Sequence, residues 1–241
     1  MRYYTKDWYQ LMQNSHYVSG MKVLPDKEYT DEEIKSFYDA DLAEELEHDR
    51  RFHEERGTDF DPEETVRCFE DFYQGIKTYA LNRYPDWARE TLDPRLIALN
   101  RIPQTPYIRL KEVEDTSKAA FDKINEDAMA VLENQDIPAE IRSAFRFHDA
   151  DVLELKEAGH DCVLILGYDE PPYTAVIFKN TVFIDLEEDT CITECTYLYD
   201  ELYRTETGYE VHILLWFPKG LKYLTIGCGD IQFEDYDASD F

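Results

Sequence analysis

Glu45-Leu-Glu-His48 is the first stretch whose residue types and spacing could do chemistry. A carboxylate and an imidazole three residues apart share one face of a helix, as in carboxylate-bridged di-metal bundles. That kind of centre needs a second Glu-x-x-His helix and two further carboxylates. The other match, Glu157-Ala-Gly-His160, falls across a strand turn, so no second helix supplies it. His53 does not join His48, because five residues turn a helix by about 140°. His48 is therefore expected on a solvated charged face, with His53 near the apolar stripe that includes Leu42. His148-Asp-Ala-Asp151 also resembles a metal-binding sequence, with Asp149 and Asp151 to one side. No second cluster completes its coordination shell, and the chemistry of a turn accounts for it.

The cysteines are weaker still as a centre. Cys191-Ile-Thr-Glu-Cys195 makes one pair, while Cys162 and Cys228 stand alone inside apolar strands. Structural zinc wants two closely spaced pairs. Burial as small hydrophobes is the simpler reading. A cysteine nucleophile with His212 or His160 as its base gains no support from spacing, and no G-x-S-x-G elbow is present. Gly227-Cys-Gly229 lacks the third glycine of a phosphate cradle and precedes no helix. Paired acids such as Glu44-Glu45 arise by chance among 53 acidic residues and nominate no general acid or base. No catalytic residue, metal ligand or cofactor site is nominated. Tyr197, Tyr199 and Tyr203 are expected on one strand face with Glu201 among them. That stripe packs in the sheet or, where helices leave it uncovered, forms a recognition surface.

The elements that would position these residues change character at Phe147, where the apolar period passes from helical to strand-like. Upstream, a short helix is expected over residues 5–17. Thr30-Asp-Glu-Glu33 is a capping box opening a helix to about Arg56, with Ile34, Phe37, Tyr38, Leu42, Leu46 and Phe52 on its buried side and Gly57 ending it. Asp61-Pro62 opens the next, carrying Val66, Phe69, Phe72, Tyr73, Ile76 and Leu81 inward. Short pieces follow near Trp87 and Leu96–Leu99, then a loop holding Pro103 and Pro106. A long helix is expected from Val113 to Leu132, and a short one from Pro138. Downstream, strands are expected over 151–157, 161–168, 173–179, 181–186, 196–204, 209–217 and 221–228. Turns are expected at Glu170-Pro-Pro172, Asn180, 205–208 and 218–220, and an acidic end over 234–240. Such short connections imply antiparallel neighbours. The fold class is α+β: a helical part, 1–146, packed on or beside a six- to seven-stranded antiparallel meander, 147–241. Val211, Ile213 and Leu215 on one side and Leu214 and Trp216 on the other require cover on both faces. A pocket, if the chain is an enzyme, is expected where helices meet the sheet.

Five segments carry a family resemblance: MRYYTKDWY, FHDADVLEL, VIFKNTVFI, YLYDELYRTETGYEVHILL and LKYLTIGCGDI. Together they resemble a family of uncharacterised bacterial proteins, the domain of unknown function numbered four thousand and eighty-five. The resemblance spans nearly the whole chain and is most specific in the strand half. It implies a bacterial cytosolic protein and brings no activity, cofactor or site residue.

Composition limits the partners. The net charge is −28 over 241 residues, and the stretch from Phe147 onward holds 21 acids against 5 bases. Such a field repels nucleic acid and anionic lipid, so neither nucleic acid nor membrane is an expected partner. It suits a basic protein or cations. The longest apolar run, Ile213–Phe217, is too short to span a bilayer. The opening residues lack a signal-peptide core, and five cysteines fit no disulfide framework, so a reducing cytoplasm is expected. The leading expectation is a non-enzymatic protein acting through protein contacts. The alternatives are a hydrolase-like enzyme and an acidic antagonist of a basic partner.

Overall fold

The structure, a computed structural model, describes residues 1–168, 173–187 and 192–236. The turn expected at Glu170-Pro-Pro172, Cys191 and the acidic stretch beyond Tyr236 lie outside the described residues. Along the chain run α1 (Lys6–Asn14), β1 (Lys22–Leu24), α2 (Asp31–Arg56), α3 (Pro62–Tyr79), α4 (Asp86–Arg89), α5 (Pro94–Ala98), β2 (Arg101–Pro103), α6 (Gln104–Leu132) and α7 (Ala139–Ala144). Then follow β3 (Ala150–Ala158), β4 (Asp161–Gly167), β5 (Tyr173–Lys179), β6 (Phe183–Leu186), β7 (Thr196–Arg204), β8 (Tyr209–Phe217), β9 (Gly220–Cys228) and β10 (Asp230–Tyr236). The fold is α+β, with a helical first part and a large antiparallel sheet after it. No helix among the described residues is long and apolar enough to cross a membrane. Two compact units form: Met12–Ala119, and Met1–Leu11 together with Ala120–Phe241.

In the unit Met12–Ala119, local sequence sets the helix ends. Thr30 accepts the Glu33 amide at 3.3 Å while Glu33 takes the Thr30 amide at 3.1 Å, closing the capping box of α2. Gly57 ends that helix in the left-handed region, φ 65°, where a Cβ would be strained. Asp61 accepts the amides of Glu63 and Glu64 to start α3. Helix α6 begins at Gln104 rather than near Val113, because Pro106 falls in its first turn, where a missing amide hydrogen costs nothing. Asp26 supplies the cap from far upstream, accepting the Thr105 amide at 2.9 Å and its hydroxyl at 2.7 Å. One core gathers Tyr17, Tyr84, Leu92, Ile97, Ile102 and Leu110; a second gathers Ile34, Tyr73, Leu96, Ala98 and Leu99.

In the other unit, eight strands run β10-β5-β4-β3-β7-β8-β9-β6, every neighbour antiparallel. Two three-stranded meanders, β3-β4-β5 and β7-β8-β9, are joined through a short β3–β7 pairing. β6 and β10 cross to opposite edges. β5 and β9 approach without pairing, so the sheet curls and all eight strands share one core with Ile137, Ile141 and Phe147. The opposite face near β7 is covered by Trp8, which stacks on Phe121 with ring centroids 5.4 Å apart and meets Tyr199 edge-on at 4.7 Å.

Candidate functional site

A cleft of about 750 Å³ opens between α2 and α3. A five-residue connection, 57–61, makes the two helices neighbours. Toward one end, Tyr38 meets Phe69 and Tyr73 edge-on, each at 5.1 Å, and donates its hydroxyl to Glu70. At the other end the Thr65 hydroxyl donates to Asp49 at 2.9 Å. Between them the walls differ. The α2 wall presents Asp41, Glu44, Glu45, His48 and Asp49, roughly one turn apart, and the α3 wall presents Cys68, Phe69 and Phe72. The expectation that Phe52, Val66 and Phe72 pack inward is corrected here: they are 41%, 40% and 63% exposed. The reason is the partner supply. α2 packs on α3 and α3 on α5, so the far half of the hairpin has no third layer to receive those side chains.

The carboxylates of the cleft fall into two classes. Asp41 is neutralised by the buried Arg101 guanidinium, which also donates to the Leu99 carbonyl at 2.7 Å, and by Lys22 at 3.8 Å. Glu44 and Glu45 make no ion pair with a lysine or arginine among the described residues. Glu45, His48 and Asp49 each offer a ligand atom within 4.8 Å of the others, so the structure does gather the sequence pair and adds Asp49. All three come from one helix turn, and Glu45 and His48 are exposed. His48 Nδ1 lies 3.7 Å from Asp49, and no hydrogen bond joins His48 to Cys68 among the described residues. The cleft presents negative charge opposite aromatic faces, the arrangement that receives cationic side chains carried on an apolar stem.

The remaining sequence candidates are placed elsewhere. His148 gives its Nδ1 to the Leu198 carbonyl (2.6 Å), and Asp149 turns the chain at φ 64°. Cys162, Cys195 and Cys228 are buried, and burial pushes the Cys162 thiol up to about 11 and the Cys228 thiol up to about 12. Burial thus keeps the Cys162 and Cys228 thiols protonated near neutrality. His160 sits in the β3–β4 turn. His212 Nδ1 lies 3.1 Å from the Met1 amine and 3.3 Å from the Thr225 hydroxyl, and burial with that ammonium holds its pKa below the ordinary value.

The tyrosine stripe requires a correction. A bulge at Leu198 lets Tyr197 pair with Leu215 while Tyr199 pairs with Leu214. One extra residue exchanges faces. Tyr197 therefore joins the sheet core beside Asp200 and Leu202, and Tyr199, Glu201 and Tyr203 occupy the other face. On that face Glu201, 1% exposed, accepts the amides of Arg2 (2.8 Å), Tyr3 (2.8 Å) and Tyr4 (2.6 Å) and the Tyr203 hydroxyl (2.8 Å). Tyr199 packs among Tyr4, Trp8, Tyr9 and His148. The tyrosines of this face line an internal seat for residues 1–9. A smaller cavity of about 270 Å³ lies where the end of α6 and α7 meet β7, with Glu133, Arg142 and Asp200 as its polar lining. Compared with known proteins, the chain matches no family model and no curated protein.

Proposed function

We propose that the protein is a non-enzymatic binding module, working in a reducing cytoplasm, that captures a basic amphipathic segment of a partner protein in the α2–α3 cleft. One observation carries this reading: carboxylates at Glu44 and Glu45, without a cationic partner among the described residues, face the exposed ring of Phe72 across the cleft. A helical segment with lysine or arginine on one flank and leucine on the other satisfies both walls. The overall charge of −28 speeds the encounter and works against nucleic acid as the partner. Free thiols at Cys68, Cys162 and Cys228 fit the reducing setting.

The test uses a synthetic lysine- and leucine-containing amphipathic helical peptide, followed by fluorescence anisotropy with the full chain. Saturable binding is expected, weakening as salt rises and dropping about tenfold or more in Phe72→Ala. Glu44→Gln with Glu45→Gln is expected to lower affinity and flatten the salt dependence. Absence of saturable binding, or binding indifferent to all three substitutions, sinks the reading.

A further inference from the structure

The cavity below β7 is built differently from the cleft. Leu132, Ile137, Phe145 and Leu202 make it apolar, and Asp200 is the acid that the strand itself contributes to it. Asp200 lies on the core face because of the Leu198 bulge, paired in register with Ile213. Its neighbour Tyr197 is 1% exposed, and its hydroxyl has no hydrogen-bond partner within bonding geometry among the described residues. The basic group of the lining, Arg142, is committed to the carbonyls of Glu133 (3.3 Å) and Gln135 (2.9 Å). No lysine or arginine pairs with Asp200 among the described residues. A carboxylate on an apolar surface without a counterion is unfavourable, and a cation that brings its own apolar body removes the cost.

We infer that this cavity is a binding site for a compact apolar amine, whose ammonium pairs with Asp200 while its hydrocarbon part fills the space between α7 and the end of α6. The volume, about 270 Å³, suits one small ring or a short alkyl chain. Besides the neutral Tyr4 hydroxyl on the other side of the strand, four titratable groups bear on Asp200. Glu201, the next residue on β7, and Glu133 of the lining favour a cation, Tyr197 is neutral, and Arg142 opposes it from a position held by backbone carbonyls. Burial raises the Asp200 pKa to about 7, so the free site is part protonated near neutrality and gives up its proton when the ammonium arrives.

The test compares three probes of one shape on the full chain: phenethylamine, phenethyl alcohol and 3-phenylpropionate, by calorimetry at pH 7.5. The amine is expected to bind saturably, the alcohol at least about tenfold more weakly, and the carboxylate not at all. Asp200→Asn keeps the shape and is expected to erase the difference between amine and alcohol. Wild-type binding of the amine is expected to fall as pH drops through the range where Asp200 takes up its proton. No binding by any probe, equal binding of amine and alcohol, or a preference surviving in Asp200→Asn overturns the inference. Because this cavity and the α2–α3 cleft share no residue, Phe72→Ala leaves amine binding unchanged and separates the two proposals.

Discussion

The two faces of β7 carry adjacent carboxylates with opposite fates. Glu201 is almost wholly enclosed and receives four hydrogen bonds. Asp200, on the opposite face, lines a largely apolar cavity and receives no hydrogen bond from a backbone amide among the described residues. Burial alone therefore does not decide what an acid does to a fold; the supply of donors does. Glu201 serves as a structural clamp because three successive amides of the chain can reach it. Asp200 is a liability to the free fold, and that residual need is what makes it suited to hold a ligand.

The largest effect should come from breaking the clamp. Glu201→Ala strands the amides of Arg2, Tyr3 and Tyr4 and is expected to cost about 3–5 kcal/mol, read as a lowered denaturant midpoint. Hydrogen exchange at those three amides should rise with it; an unchanged midpoint would show that the donors find water at no cost. Asp200 should act in the opposite sense. Its folded pKa is raised to about 7 from an unfolded 3.8. Below the lower value both states are protonated and nothing is lost. Stability is withdrawn as pH climbs between the two, and the loss is complete above the upper one. Asp200→Asn is thus expected to stabilise by about 4 kcal/mol at pH 8 and to converge on the wild type near pH 4. Urea melts across that range check it, and a parallel offset at every pH would refute the assignment.

Tyr199→Ala probes the face on which Glu201 sits. A half-buried ring among Tyr4, Trp8 and Tyr9 is expected to contribute about 2 kcal/mol, seen in thermal melts. Little change would return Tyr199 to the role of a recognition residue. The smallest change belongs to the α2–α3 cleft. Glu44→Gln with Glu45→Gln should leave the melting temperature unchanged or slightly higher at low salt, because these acids repel one another and pair with no lysine or arginine among the described residues. A clear fall would mean that they are structural after all.

The architecture was legible because periodicity and caps act locally. Thr30, Glu33, Gly57 and Asp61 mark helix ends with side chains that bond to their own neighbours, and the strands at 173–179, 196–204 and 209–217 begin and end where the alternation does. Three things were not legible, each for a physical reason. β10 carries Asp230, Glu234 and Asp235 at an edge where acids meet solvent, so its Ile231 and Phe233 alternation is diluted. The Leu198 bulge leaves no mark in composition, since the extra residue is as apolar as its neighbours, yet it moves Tyr197 and Asp200 together to the core face. The cleft was hidden because the apolar stripe of α3 reads as core, and only the lack of a third layer leaves Phe72 in solvent. A run of acids in a chain this acidic gives no hint that some of them face aromatic rings.

The two edge crossings of the sheet bear on how the protein comes to be folded. β5 cannot be completed until β10 has been made, and β6 waits for β9. During synthesis the β3-β4-β5 meander therefore stands with an open apolar edge while five more strands are produced. Pairings so distant in sequence close slowly, and an open edge invites pairing with another chain. The high negative charge has a kinetic use in that interval: nascent copies repel one another until the last strand arrives to seal the edge.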